Sequence, residues 1–179
     1  MRWWLVLAAG ATVFVVATGL VARELAWVGV QQGYAPEQPI AFSHRLHAGD
    51  SKIPCLYCHF GARTSRHAGI PPVNVCMNCH GMLRRQSLEI EKLKESVERR
   101  QPIAWIKVHN LPDFVYFNHS RHLLANVQCQ ACHGRVETMV RVEQQAPLTM
   151  GWCLGCHRSH LAGDAHGPAA NLDCGNCHY

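Results

Sequence analysis

Every cysteine in this chain belongs to a Cys-x-x-Cys-His motif, and there are five such motifs. They read Cys55-Leu56-Tyr57-Cys58-His59, Cys76-Met77-Asn78-Cys79-His80, Cys129-Gln130-Ala131-Cys132-His133, Cys153-Leu154-Gly155-Cys156-His157 and Cys174-Gly175-Asn176-Cys177-His178. Each is the attachment signature of a c-type haem. The two thiols form thioethers at the porphyrin edge, and the adjoining histidine becomes one axial iron ligand. A disulfide framework or a set of zinc knuckles would also use ten cysteines, but neither requires a histidine after each pair. With 13 histidines among 179 residues, five of five by chance has a probability of about two in a million. The sequence therefore predicts five covalent haems with His59, His80, His133, His157 and His178 as proximal ligands.

That load limits the fold. Setting aside an N-terminal apolar segment leaves about thirty residues per haem, too few for an ordinary protein core around five large cofactors. The expected fold is mostly irregular with small α-helices near the motifs, almost no sheet, and the haems themselves as core. Covalent attachment then does what disulfides do in other small secreted folds. The formal charge of +5 does not point to nucleic acid, because about ten haem propionates would make the loaded protein acidic. Haem is joined to such motifs outside the bacterial cytoplasmic membrane, so the motifs are expected on its periplasmic face.

Trp3 to Ala22 is an uncharged run of twenty residues between Arg2 and Arg23-Glu24. At helical rise it spans about 30 Å, a bilayer core. A secretory signal has a shorter apolar region of roughly 7–15 residues before a small-x-small site. Val15-Val16-Ala17 and Leu20-Val21-Ala22 offer such sites, but the length and the aromatics Trp3, Trp4 and Trp27 favour a retained single-pass anchor. The expected organisation is an anchor over 1–30 and a haem domain over 31–179, with Gln31 to Pro39 as a short linker.

The haem domain contains an internal repeat. Phe42-Ser43-His44-Arg45-Leu46-His47 lies seven residues before the first motif, and Phe117-Asn118-His119-Ser120-Arg121-His122 lies six before the third. Each Phe-x-His-x-x-His is followed by two haem motifs. The domain thus reads as two copies of a two-haem unit, 40–86 and 115–157, with a fifth haem over 158–179.

This arrangement resembles the small multihaem cytochromes of the c3 and c7 type. The resemblance implies that the first histidine of each pair is the distal ligand of the next haem and the second reaches a different one. His44 is then expected opposite His59 and His119 opposite His133, with His47 and His122 crossing to neighbouring haems. A second resemblance covers nearly the whole chain. Ala68-Gly69-Ile70-Pro71-Pro72 before the second motif, Val108-His109-Asn110-Leu111-Pro112-Asp113-Phe114-Val115-Tyr116-Phe117-Asn118-His119, and Leu148-Thr149-Met150-Gly151-Trp152-Cys153 are similar to the pentahaem subunit of bacterial alternative complex III. The N-terminal anchor, the haem number and the closing Cys-x-x-Cys-His-Tyr agree. The resemblance implies an electron-transfer subunit of a complex that oxidises membrane quinol and passes electrons toward a periplasmic carrier or a terminal oxidase. It implies as partners an iron–sulfur, molybdopterin-like subunit, polytopic quinol-binding subunits and monohaem cytochrome c subunits. The chain would be no enzyme by itself, with no small-molecule substrate of its own.

Five haems need five distal ligands, and the paired histidines provide four. His109, in the Val-His-x-Leu-Pro-Asp stretch that carries the resemblance, is the expected fifth. His67, nine residues before Cys76, and Met150, three before Cys153, are reserves. A thioether ligand would raise the potential of its haem, although methionine more often packs on porphyrin. His160 and His166 lie in a Gly-rich stretch and are expected to be solvated. Ser87 to Arg100 reads as a soluble helix, with Ser87 as cap, Glu89 and Glu91 in the first turn, and Ile90, Leu93 and Val97 as an apolar stripe.

Other functions compete. A free-standing quinol dehydrogenase would share the anchor, and a soluble shuttle would need the anchor cleaved. A pentahaem nitrite reductase carries a Cys-x-x-Cys-Lys haem, and no such motif occurs here.

Overall fold

A helical turn brings residues i and i+3 onto one face, so a Cys-x-x-Cys pair can present both thiols together only where the chain coils. In the computed structural model, which describes residues 2–26, 28–84, 86–161 and 169–178, every motif sits on such a coil. The described residues divide into two units, 1–30 and 31–179.

The first unit holds α1, Trp3–Ala26, with no acidic residue in its first turn and Arg23 in its last. Trp3–Leu25 is long and apolar enough to cross a membrane, a test that secretory signals also pass. Trp27 lies outside the described residues.

The second unit is built of short helices and irregular chain. α2 (Cys55–Cys58), α3 (Val73–His80), α6 (Gln130–His133) and α7 (Met150–Ser159) carry the first four motifs. A 3₁₀ turn, Cys174–Asn176, carries the fifth. Their starts are set locally. Pro54 and Pro72 stand extended before α2 and α3. The Thr149 hydroxyl accepts the Trp152 N–H at 3.3 Å, and the Asp173 carboxylate accepts that of Gly175 at 3.1 Å. No strand forms among the described residues, and Val115 and His178 make an isolated antiparallel bridge.

α4, Leu88–Glu98, contributes to a buried apolar cluster. Ile90 and Leu93 are buried against Ile40, with Val73, Cys76, Met77, Ile103 and Trp105 packed around them. Val97, expected in the same stripe, is instead exposed, outside the cluster that Ile90 and Leu93 form with α3 and the segments around Ile40 and Trp105. Ser87 occupies the cap position without a side-chain hydrogen bond. On the outer face Lys92, Lys94 and Arg99 pair with Glu89, Glu91 and Glu95 within the helix.

The stretch expected as a linker is tied down. Gly33 N–H donates to the Gln144 carbonyl at 2.7 Å, and the Gln144 N–H donates to the Tyr34 carbonyl at 3.0 Å. The Gln38 amide exchanges two hydrogen bonds of 2.9 Å with the Ile106 backbone. Gln144, 1 % exposed, also accepts from Asn110 N–H and donates to the Ala146 carbonyl. Through its backbone and its side-chain amide Gln144 therefore ties the segments around Gly33 and Asn110 to its own, as backbone satisfaction requires of irregular chain.

The repeat produces a reciprocal clasp. His44 opens a π-helical turn, Arg45–Asp50, that packs on the 3₁₀ turn Val136–Thr138 just after the third motif. α5, His119–Leu124, packs on the 3₁₀ turn Phe60–Arg63 just after the first. Arg45 N–H reaches the Met139 carbonyl at 2.9 Å, and Ser120 N–H reaches that of Ser65 at 3.2 Å. Each half thus lays its paired-histidine segment over the other half's first motif.

Candidate haem-binding sites

The two Phe-x-His-x-x-His segments fold almost identically. Phe42 stands edge-on to His44 at 4.9 Å and stacks on His47 at 4.3 Å. Phe117 does the same with His119 at 4.8 Å and His122 at 4.4 Å. The residue between Phe and the first histidine completes the turn. Asn118 Oδ1 accepts from Ser120 N–H at 3.0 Å and Arg121 N–H at 3.4 Å, and Ser43 Oγ accepts from Leu46 N–H at 3.3 Å. Their carbonyls hold the Nδ1 atoms of His122 and His47, both at 2.8 Å. Phe42, Phe117, Ser43 and Asn118 thus gain roles that the motif as a string does not assign. Ser and Asn immediately before a helix were the available signal.

The histidines then meet in pairs. His44 and His59 have ring centroids 6.3 Å apart with planes 5° from parallel, and His119 and His133 have 6.3 Å and 10°. His47 faces His80, and His122 faces His157, each at 6.0 Å with planes inclined by 61° and 48°. These spacings suit a metal between the rings. With metal–imidazole bonds of about 2.0 Å and a centroid about 1.1 Å behind each nitrogen, ligands on opposite faces of one iron lie roughly 6 Å apart.

Hydrogen bonding selects the nitrogen that is left for iron. Nδ1 is held by a backbone carbonyl in His59 (Gly69, 2.6 Å), His80 (Leu83, 3.3 Å), His119 (Arg66, 2.8 Å) and His157 (Asn171, 2.7 Å), as in His47 and His122. That leaves Nε2 as the donor, the usual arrangement of a metal-bound imidazole with an outer partner. His44 Nδ1 is buried without a partner. Burial, together with neighbouring His59 and His47, pushes His44 down to about 4. Burial, then His109, His119, His59 and His44, does the same to His133. His122 is also lowered by burial. These rings are held neutral, the form that binds a metal.

All ten cysteines are unpaired. Burial pushes the thiols of Cys58, Cys76, Cys129, Cys132 and Cys153 up. Thiols of different motifs are neighbours. Cys58 lies near Cys76 and Cys79, Cys129 lies near Cys55, Cys132 lies near Cys153 and Cys156, and Cys153 lies near Cys177. The motifs therefore follow one another in space as second, first, third, fourth, fifth, an order that chain position does not give. The donor set fits c-type haem: paired thiols on a coil, an imidazole beside them, and a second imidazole opposite in four cases.

The remaining histidines are placed differently. His109, expected as the fifth distal ligand, has its Nε2 3.2 Å from His133 Nδ1 and its ring centroid 4.3 Å from that of His133, too close for an iron between them. The His178 ring stacks on Phe114 at 5.8 Å. His67 is exposed, and Met150 is 60 % exposed at the start of α7. His160 is exposed at the end of α7 with Nδ1 2.9 Å from the Cys156 carbonyl oxygen, while His166 lies outside the described residues.

Residues 115–179 match the family model described as cytochrome c7 and related cytochrome c. The chain is also 34% identical over 98 residues to the "Menaquinone reductase, multiheme cytochrome c subunit" of Nitratidesulfovibrio vulgaris, an alignment covering 54% of this chain and 46% of that protein. The chain thus spans about half the length of this curated relative. Motifs, opposed imidazoles and both similarities agree on a multihaem cytochrome c with covalently held c-type haem.

Proposed function

We propose that this chain is the pentahaem electron-relay subunit of a quinol-oxidising membrane complex of the alternative complex III type. The observation that carries the reading is the set of four imidazole pairs spaced 6.0–6.3 Å apart, each joining a motif histidine to one from a Phe-x-His-x-x-His. The pairs His44/His59, His47/His80, His119/His133 and His122/His157 would close both axial positions of four haems, so no substrate could bind those irons. Each haem would supply reversible one-electron exchange.

The residues order this relay. His44 and His47 lie three positions apart yet serve the first and second motifs, and His119 and His122 serve the third and fourth, so each short turn staples two haems together. Proximity of Cys55 and Cys129 would join the two halves, and that of Cys153 and Cys177 would add the fifth haem, on Cys174, Cys177 and His178. Met150 lies one helical turn before Cys153, on the helix of the fourth motif. With His122 opposite His157, Met150 would pack on porphyrin rather than bind iron. The relay would end at the second motif, beside α4, and at the fifth.

α1 would hold the domain on the periplasmic side as a retained anchor. The partners would be the iron–sulfur, molybdopterin-like subunit, the polytopic quinol-binding subunits and the monohaem cytochromes of the complex. The relative's name supports a menaquinone setting. It also favours a second reading, in which electrons run through this chain toward menaquinone.

Purification from membranes in mild detergent tests the assignment. The expected result is co-purification with a large iron–sulfur subunit and polytopic subunits, menaquinol-dependent reduction of an added cytochrome c by the assembly, and negligible menaquinol oxidation by the isolated chain. Inhibitor-sensitive menaquinol oxidation by the single chain would instead identify a free-standing dehydrogenase. An assembly that reduces menaquinone from a reduced carrier, but not the reverse, would establish the second reading.

A further inference from the structure

Six of the eight imidazoles in the four pairs hold Nδ1 against a backbone carbonyl oxygen. His133 instead holds it against another imidazole, with His133 Nδ1 3.2 Å from His109 Nε2 and the two rings inclined at 79°. We propose that His109 is a positioning residue for the third haem site, accepting the His133 Nδ1 proton and setting the orientation and basicity of that ligand.

The direction of the bond follows from valence. An imidazole bound to iron through Nε2 keeps its one proton on Nδ1, so His133 must donate. His109 must then accept through the Nε2 lone pair, with its own proton on Nδ1. An imidazole nitrogen is a much stronger base than an amide carbonyl oxygen. It draws the His133 proton further, gives that ligand more imidazolate character, and favours ferric over ferrous iron. The third haem is thereby set lower in potential than carbonyl-bonded neighbours of the same ligand type.

The scaffold around His109 is built rather than incidental. The next residue, Asn110, donates its N–H to the buried Gln144 side chain at 3.3 Å, and Ile106 is locked to Gln38 by two hydrogen bonds of 2.9 Å. The segment carrying His109 is therefore pinned on both sides of the ring. By contrast, His44, the counterpart of His119 in the other half, has a buried Nδ1 with no partner. The duplicated halves thus differ in the groups around their ligands although the opposed pairs match.

The proposal rests on the pairing of His119 with His133, and the test separates the two. The full-length holoprotein is compared with His109→Phe, His109→Gln and His119→Ala by potentiometric titration and low-temperature electron paramagnetic resonance. The expected result for His109→Phe is an entirely low-spin protein in which one haem shifts to higher potential with changed g-values. His109→Gln, which offers a carbonyl acceptor and preserves a folded site if Phe does not, should give a smaller shift of the same sign. A high-spin haem in either His109 variant would make His109 an iron ligand and overturn the proposal. Unchanged potentials, or a downward shift, would also overturn it. His119→Ala should produce one high-spin haem. If it stays fully low-spin, the pairing itself is wrong, irrespective of the His109 result.

Discussion

Gly49 is the point at which the clasp between the two halves can be tested most directly. It lies in the π-helical turn Arg45–Asp50, and a Cβ built there falls on the Glu137 carbonyl oxygen, well inside contact distance. The obstacle is backbone, so no side-chain rotation relieves it. Gly49→Ala must separate the turn from Val136–Thr138 or distort one of them. Overpacking of this kind costs about 1–3 kcal/mol. In a domain of this size each kcal/mol lowers Tm by roughly 2–4 °C. The same turn carries His47 and follows His44, whose rings lie 6.0 Å from His80 and 6.3 Å from His59. The variant should therefore show early high-spin character on warming, at the first two haems. The assay is thermal unfolding of the holoprotein followed by circular dichroism and by the Soret band. Exposed Asp50→Ala, one residue on, serves as control and should stay within about 0.5 kcal/mol of the parent. A Gly49→Ala protein as stable as that control would mean that the close packing of these turns, and the reciprocal clasp inferred from it, is wrong.

Three further outcomes are expected. Asn118→Ala removes the cap that accepts from Ser120 and Arg121 N–H, and denaturant unfolding should show a loss of about 1 kcal/mol. Gln144→Leu strands the Ala146 carbonyl in a buried setting and removes the acceptor of the part-buried Asn110 N–H, so the same assay should show a loss of about 1–3 kcal/mol. His44 and His133 are held near 4 against an ordinary 6.5. The unfolded chain therefore binds more protons than the folded one between those values, and stability should fall as pH drops from about 6.5 toward 4 and recover on return. A denaturant midpoint that rises on acidification through that window would contradict this.

Several features of this protein follow from the sequence alone. Cysteine and histidine spacing is a local property, so each Cys-x-x-Cys-His is legible as a candidate attachment site from the string alone. A helical turn then forms at each motif because only coiled chain presents both thiols together. The apolar run Trp3 to Ala22 and the α4 segment were legible for similar reasons, since each is a pattern along one helix. The repeated Phe-x-His-x-x-His was equally plain as a string.

Tertiary structure decided what those strings meet. That His47 faces His80 and His122 faces His157 depends on how the short turns pack on the opposite half, contacts made across many residues of chain. The spatial order of the motifs depends on the same packing, because the neighbouring Cys55 and Cys129 belong to different halves. Val97 continues the periodicity of Ile90 and Leu93, yet it is exposed, outside the cluster that those two form. His109 shows the limit most clearly. The sequence around it gives a reason to consider it as a ligand, but a residue's neighbours along the chain do not set what its ring meets. Gln144, buried and bonded to Asn110, carries that segment to His133, and so His109 meets an imidazole at hydrogen-bond distance rather than across the width of an iron.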